Sequence, residues 1–259
     1  MKMMLVDAHC HLESGHFIGK LDGIIADARE AGIVRLITSS IVPAQWETSR
    51  SIASRYPDVE FTMGVHPWYI EQSFMADLPS LSAAKRLGAV AIGEIGLDKK
   101  IERGDFSLQV LFFEEQLAIA KEIGLPVVIH CRGAFNELIL SLKRVGTPEA
   151  GGIVHSFSGS EEIAEKLMGL GLSFSMGGVL TYRNSRKREA VLKKIYPGHL
   201  LLETDSPDIP PVEKRGEVNL PRNILYNLRG ASDSIGDDIE TIARHTTANA
   251  SRVFSLDIR

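Results

Sequence analysis

The sequence is poor in cysteine and lacks long apolar runs, and both absences restrict what the protein can be. Its 259 residues contain only two cysteines, Cys10 and Cys131, so we expect no disulfide framework and a reducing, cytoplasmic location. The first residues lack the apolar stretch of a signal peptide, and no run is long enough to span a bilayer. We therefore expect a cytoplasmic protein with no membrane partner.

A large excess of one charge is also missing. The net charge is only −4, which argues against broad, non-specific binding to nucleic acid. No glycine-rich GxGxxG segment follows the first predicted strand, so dinucleotide binding is not indicated. There is no internal repeat, and nothing in the sequence indicates an obligate protein partner. With 44% hydrophobic residues, the chain can still form a sizeable core.

Short apolar runs alternate with longer amphipathic stretches along the whole chain. Eight strands are predicted, at 5–9, 34–40, 60–66, 89–96, 126–130, 152–157, 172–178 and 199–205. Helices are predicted between them, near 21–31, 43–55, 75–87, 108–123, 134–144, 160–169 and 185–195, and a last helix is predicted from about 237 to 254. Apolar strands separated by helices indicate parallel strands covered on both faces. We predict one (β/α)8 TIM barrel over residues 1–259, with a doubly wound open sheet as the alternative.

The first predicted strand ends in two histidines one residue apart. Side chains alternate along a strand, so His9 and His11 should lie on one face and Cys10 on the other. Two converging imidazoles suit a divalent metal, although two hydrogen-bonded strand histidines would give the same pattern.

Histidines and acidic residues recur where other predicted strands end. Five of the eight histidines do so, and so do at least two carboxylates. These residues are His9, His11, His66, Glu94, His130, His155, Glu203 and Asp205. In a TIM barrel they would meet at one mouth, where active sites of this fold are built. Mixed imidazole and carboxylate ligands suit zinc, manganese, iron or nickel better than calcium, and their number favours two ions.

The ordered set of motifs resembles the TatD family of metal-dependent hydrolases. The resemblance rests on DAHCHL, GVHP, AIGEIGLD, VVIHCR, VHSFSGS, LLLETDSPD and TTANASRVF, and it runs over essentially the whole chain. It implies an amidohydrolase-type barrel and two divalent ions, such as Zn, Mg or Mn. The metal ligands implied are His9, His11, Glu94, His130, His155 and Asp205.

The resemblance also implies a role for particular positions. Glu94 would bridge one ion held by His9, His11 and Asp205 and a second ion held by His130 and His155. Asp205 would accept the proton of the attacking water, and His66 would contact the substrate. A metal pair lowers the pKa of bound water, which agrees with hydrolysis at neutral pH.

Two loops depart from the family pattern. Lys99 and Lys100 follow GLD where many members have tyrosines. The long loop after the eighth strand has Leu220 at a position that is commonly acidic. Both loops should lie over the mouth, so these departures affect the expected substrate and leave the metal ligands intact.

Basic residues are frequent in the loops expected at the mouth. Arg132 follows the fifth predicted strand and Arg183 the seventh, and we predict that both bind an anionic substrate. We predict a phosphodiesterase or deoxyribonuclease that acts at nucleic-acid ends through a metal-activated water. The alternative is a metal-dependent esterase or amidohydrolase, for example a D-aminoacyl-tRNA deacylase or a lactonase. A metal-stabilised binding module without catalytic activity is the third interpretation.

Overall fold

Eight parallel strands form the centre of the computed structural model, which describes residues 3–101, 104–182 and 185–258. The strands are β1 (Leu5–Cys10), β2 (Ile33–Ser39), β3 (Val59–Met63), β4 (Ala91–Asp98), β5 (Val127–Arg132), β6 (Gly152–Val154), β7 (Leu172–Met176) and β8 (Leu200–Leu202). They are hydrogen-bonded in chain order, each parallel to the next. The predicted (β/α)8 barrel is confirmed, and the doubly wound alternative is wrong.

Helices follow the strands around the outside. They are α1 (Leu21–Glu30), α2 (Trp46–Arg55), α3 (Ala84–Leu87), α4 (Phe106–Ile123), α5 (Phe135–Val145), α6 (Glu161–Met168), α7 (Arg186–Ile195), α8 (Ile224–Ile235) and α9 (Ile239–Phe254). Most agree with the sequence prediction to within a few residues. The region around 75–87 is mainly 3-10 turns rather than a long α-helix, and α8 was not predicted.

The first and last strands are joined where the barrel closes. Asp205 N–H donates to the His9 carbonyl over 2.9 Å, and His11 N–H donates to the Ser206 carbonyl over 2.7 Å. The buried Asp7 carboxylate accepts from the Thr204 N–H at 2.9 Å and from its hydroxyl at 2.5 Å. Two metal-ligand candidates, His9 and Asp205, are therefore held together through the backbone itself.

The core lies between the strands and the helices that cover them. Phe112, Phe113 and Phe174 are fully buried there. A smaller cluster joins strand residues such as Val6 and Leu201 to the last turns of α9. This apolar packing leaves the strand ends at the barrel mouth as the place where buried polar side chains gather.

No helix in the described part of the chain is long and apolar enough to cross a membrane.

Candidate metal centre

The six predicted metal ligands lie together at the carboxyl ends of the strands. His9, Glu94 and His130 lie within β1, β4 and β5, and His11 follows β1 directly. The other two extend from loops: β6 ends at Val154, before His155, and β8 ends at Leu202, before Asp205. β3 likewise ends at Met63, so the prediction that His66 ends that strand is wrong. The predictions that His155 and Asp205 end their strands are wrong in the same way.

The carboxylate of Glu94 lies at the centre of the cluster. Its Oε2 is 3.3 Å from His9 Nε2 and 3.6 Å from His11 Nε2. Its Oε1 is 2.7 Å from His155 Nε2 and 3.3 Å from His130 Nδ1. The two oxygens thus face two different pairs of imidazoles, which is the arrangement that a bridging carboxylate requires.

Hydrogen bonds fix which nitrogen of two histidines is free. His11 Nδ1 lies 2.8 Å from the Ser39 carbonyl, which can only accept, so Nδ1 carries the proton and Nε2 faces the site unprotonated in the neutral ring. His130 is turned the other way: its Nε2 lies 3.0 Å from the Asp98 carboxylate, which leaves Nδ1 free toward Glu94. In its neutral form, each ring therefore directs an unprotonated nitrogen toward the Glu94 carboxylate.

His66 has the opposite arrangement. Its Nδ1 accepts a hydrogen bond from the Trp68 N–H at 3.1 Å, so the proton of the neutral ring is on Nε2, 3.0 Å from Glu94 Oε1. Burial lowers the pKa of His66, which keeps the ring neutral. His66 could complete a ligand group with Glu94 and His130 by distance, but its hydrogen bonds make it a donor into the site.

His9 provides the test of whether the residues suit a metal. Its Nε2 is fully buried and has only long polar contacts among the described residues, 3.3 Å to Glu94 Oε2 and 3.4 Å to Asp205 Oδ1. Such buried polar atoms are costly unless something satisfies them. A cation between His9, His11 and Asp205 would do so, since ligand atoms of these three lie within 4.8 Å of one another. His9, Glu94 and His155 form a second such group, so the donor set is suitable for divalent ions.

Asp205 lies in a conformation that the sequence pattern does not predict. Its φ of 57° is in the left-handed region, which a non-glycine residue adopts at an energetic cost. The turn aims Oδ1 at His9 Nε2, 3.4 Å away, and at His11 Nε2, 3.5 Å away. Although Asp205 is buried, hydrogen bonds from His11 and His9 lower the pKa of its carboxyl, which stays ionised.

The electrostatics of the metal-free cluster are those of a site prepared for cations. Burial would lower the pKa of His9, but the Glu94 charge and hydrogen bonds to Asp205 and Glu94 raise it to about 10. Burial likewise opposes the charge of His130, but hydrogen bonds to Asp98 and Glu94 raise its pKa to about 9. In the metal-free protein His9 and His130 are therefore protonated, and metal ions would replace these protons on binding.

Asp98 belongs to this site and was missed from the sequence. It is fully buried, and besides His130 it accepts from the Trp68 indole at 2.6 Å and pairs with Arg132 at 2.9 Å. A signal was available, because Asp98 lies four residues after Glu94 in β4 and should share its face. The second-sphere carboxylate behind a ligating histidine is a common feature of metal sites.

Glu203 is also fully buried, and it makes hydrogen bonds to the loop and strand beside it. It accepts from the Ser156 N–H at 2.8 Å and from the Ser175 hydroxyl, and its Oε2 lies 4.0 Å from His155 Nδ1. No cation pairs with it among the described residues. Burial raises its pKa to about 8. Glu203 therefore holds the loop that carries His155.

A cavity of about 890 Å³ opens above the metal-ligand candidates. Arg132, Lys187 and Arg188 line it, together with the half-exposed Trp68 and Tyr69. Arg132 therefore lies where the sequence predicted a substrate contact, and its role stays a prediction. Arg183 lies outside the described residues. The cavity leads from the surface to the ligand cluster.

Comparison with known proteins gives matches over almost the entire chain. The family described as TatD related DNase matches residues 6–255. YabD, an uncharacterized metal-dependent hydrolase of Bacillus subtilis (strain 168), is 32% identical over 257 residues, which cover 98% of this chain and 100% of YabD. YjjV, an uncharacterized metal-dependent hydrolase of Escherichia coli (strain K12), is 34% identical over 254 residues, covering 97% and 98% of the two chains.

A solved structure gives the same result. The crystal structure of YjjV, a TatD homolog from Escherichia coli K12, superposes with a TM-score of 0.92 at 29% identity, covering 99% of this chain and 100% of that one. The family predicted from the motifs is confirmed. This chain belongs to the TatD-related DNase family and is a metal-dependent hydrolase.

Proposed function

We propose that the protein is a phosphodiesterase that uses two divalent ions to hydrolyse nucleic acid, most directly DNA, at strand ends. The observation that carries this proposal is the position of Glu94, whose two oxygens face separate imidazole pairs at the floor of a cation-lined cavity. Enzymes that displace an oxygen at phosphorus commonly use such paired sites. The family description, TatD related DNase, supports the same activity.

The ligands would divide between two ions according to which oxygen of Glu94 they face. His9, His11 and Asp205 lie on the Oε2 side, and His130 and His155 lie on the Oε1 side. When bound, the ions supply a more acidic water and neutralise charge that develops on the phosphoryl oxygens. Zinc, magnesium and manganese are the candidates for the two positions.

Asp205 is the proposed general base. Its pKa is well below the usual range, so it is ionised at neutral pH, and it lines the cavity beside His9 and His11. A carboxylate there can accept the proton that the attacking water loses. Oδ1 faces the imidazoles, so the second oxygen remains for the water.

His66 and Arg132 are proposed to bind the reacting group. The Nε2–H of His66 points into the cluster from a neutral ring, and such a donor can bind a phosphoryl oxygen without adding a titrating charge. Arg132 is held by Asp98 at the cavity edge, with part of its guanidinium exposed to a substrate phosphate. Arg183 is proposed to add to this positive rim.

The shape of the site supports action at an end rather than along a duplex. The ligand cluster lies at the bottom of a cavity, and Glu94 is only 2% exposed. A phosphodiester inside a continuous duplex could not reach it, whereas a terminal nucleotide of a single strand could enter.

The test uses protein stripped with chelator and reloaded separately with zinc, magnesium or manganese. End-labelled single-stranded DNA is offered beside a D-aminoacyl-tRNA and a panel of lactones. We expect mononucleotide release from DNA, which chelator abolishes and metal restores. Hydrolysis of the esters or lactones without any cleavage of DNA would overturn the proposal in favour of the metal-dependent esterase. If metal binds but neither DNA nor the esters and lactones are hydrolysed, the result favours the metal-stabilised binding module.

A further inference from the structure

Two aromatic side chains lie half-exposed at the rim of the cavity. Trp68 and Tyr69 belong to a 3-10 turn, Pro67–Tyr69, and they are 46% and 44% exposed. Both line the cavity. An aromatic ring left open to solvent at the mouth of a site is available for contact with a ligand.

The indole of Trp68 is held in place rather than free to turn. Its Nε1–H donates to the buried Asp98 carboxylate at 2.6 Å. The guanidinium carbon of Arg132 lies 5.3 Å from the centre of the indole, and Arg132 pairs with the same carboxylate at 2.9 Å. Trp68 and Arg132 therefore form a fixed pair, which we call the rim platform.

The rim platform is adjacent to the candidate metal ligands. The Trp68 ring centroid is 5.3 Å from that of His66 and 5.9 Å from that of His130. Asp98 contacts both the platform and His130, so one carboxylate fixes the distance between them. A group bound on the rim platform would therefore lie next to His66 and His130, which are among the side chains that would surround the reacting phosphate.

We propose that the rim platform binds the base of the nucleotide whose phosphodiester is cleaved. This inference rests on the proposed nuclease function and names the part of the substrate that the site recognises besides phosphate. A base has a planar π-face that stacks on an indole regardless of its sequence identity, and an arginine beside the ring adds attraction for both base and phosphate. An aliphatic acyl group would gain nothing from the guanidinium.

Two forms of one oligonucleotide test the platform by activity. They differ only in whether the terminal nucleotide carries its base or is abasic. We expect the parent protein to cleave the base-bearing form more efficiently, with a ratio of kcat/KM values of about 10 or more. In Trp68→Leu the ratio of the two kcat/KM values should fall toward one, because the aromatic ring is lost. Trp68→Phe also lacks the Nε1 donor but keeps an aromatic ring, so it should retain part of the preference for the base-bearing form. An unchanged ratio in Trp68→Leu would overturn the proposal.

Controls separate stacking from damage to the metal centre. Metal content is measured for each variant, so that the ratios are compared at equal occupancy. Trp46→Phe is the matched control, because Trp46 is the other tryptophan of the chain, its indole donates to the Gly64 carbonyl, and it is not among the residues that line the cavity. Trp46→Phe should not change the ratio of kcat/KM values between the base-bearing and abasic oligonucleotides.

Fluorescence gives a readout that does not depend on turnover. In the metal-loaded Trp46→Phe protein, Trp68 is the only tryptophan, so its emission reports the platform directly. We expect quenching by dAMP that saturates, and much weaker quenching by 2-deoxyribose 5-phosphate, which has the phosphate without the base. Equal quenching by both, or none, would overturn the platform. Quenching by dAMP without cleavage of DNA would retain the platform and reject the nuclease.

Discussion

The Asp98 carboxylate lies 3.0 Å from Nε2 of His130, on the side of the ring that faces away from Glu94. This contact holds the proton on Nε2 and leaves Nδ1 free for a metal ion. The pKa of Asp98 is well below its usual range: burial opposes its charge, but hydrogen bonds from His130 and Trp68 outweigh burial. The ring orientation of one ligand thus depends on an acid that is not a ligand.

The substitution Asp98→Asn should weaken metal binding without removing any ligand. The amide can donate toward His130 and lacks the charge that fixes the ring, so we expect an affinity about 10–100-fold lower. Competition titration against a metal-sensitive chelator measures it. Asp233→Asn, at an exposed position of α8, is the control and should bind as the parent does. Equal affinity in Asp98→Asn would show that the ring is held by other contacts.

Removal of metal should lower the thermal stability. Each ion that binds only the folded state, at a free concentration about 100-fold its Kd, contributes about 2.7 kcal/mol. For a chain of this size that corresponds to a decrease in Tm of about 5–10 °C for each ion removed by chelation, restored by added metal. Differential scanning calorimetry with and without chelator measures the shift. In Glu94→Gln the decrease in Tm on chelation should be much smaller, because this variant lacks the carboxylate that both ligand groups share.

Metal binding should release protons at neutral pH. In the metal-free protein the pKa values of His9 and His130 are raised to about 10 and about 9, and the pKa of His11 is raised well above its usual range, so all three rings are protonated at pH 7.5. A ligating nitrogen must be unprotonated, so binding displaces about three protons and the affinity rises as the pH increases from 6 toward 9. Calorimetric titrations in buffers of different ionisation enthalpy count the protons. Identical heats in all buffers would contradict this expectation.

The raised histidine pKa values should also make the stability of the metal-free protein depend on pH. The folded pKa values of His9 and His130 lie above the ordinary value of 6.5. Their contribution to stability is therefore complete below about pH 6.5 and is lost as the pH rises through 9 and 10. Chelator-treated protein should have a falling free energy of unfolding over this range.

Replacement of Asp205 by asparagine should separate catalysis from binding. An amide cannot accept a proton from water, so kcat should fall by about 10²–10⁴-fold. Metal content is measured in parallel, because the comparison holds only at equal occupancy. Glu213→Gln, in the exposed part of the loop that follows β8, is the control. A parent-like kcat in fully loaded Asp205→Asn would exclude Asp205 as the base.

A glycine in β4 should tolerate no side chain. Gly96 has a φ of 147°, and a Cβ there would lie 1.9 Å from the His130 carbonyl oxygen of the neighbouring strand. Gly96→Ala should therefore destabilise the fold by about 3 kcal/mol or more. Gly23→Ala in α1 meets nothing within 4 Å and should stabilise by about 0.5–1 kcal/mol. Urea unfolding of both compares them, and a parent-like midpoint for Gly96→Ala would refute the strand-packing argument.

The barrel and the meeting of its polar residues could be predicted from the sequence. Parallel strands in chain order must have their carboxyl ends at one mouth, so His9, Glu94 and His130 could be brought together without coordinates. The family motifs identified the other candidate ligands, His11, His155 and Asp205. In contrast, α8 was missed because Ile224–Ile235 mixes polar residues with apolar ones and follows a long loop.

Features that depend on loops or on hydrogen bonds could not be predicted. Alternation along a strand does not apply to His66 and His155, which lie beyond the strand ends, or to Asp205 with its left-handed backbone. The donor role of His66 depends on the Trp68 N–H, a contact set by the turn between them. Charge patterns indicated a basic rim but gave no sign that Arg132 and Trp68 share one buried acid.

The closure of the barrel between β1 and β8 has a consequence for how the protein matures. Asp7 and Thr204, which bond to each other, are 197 residues apart, and the ligands His9 and Asp205 flank that contact. A growing polypeptide that has emerged only as far as β7 holds the histidine pair but not its acidic companion. A complete set of candidate metal ligands therefore exists only after synthesis has passed the eighth strand.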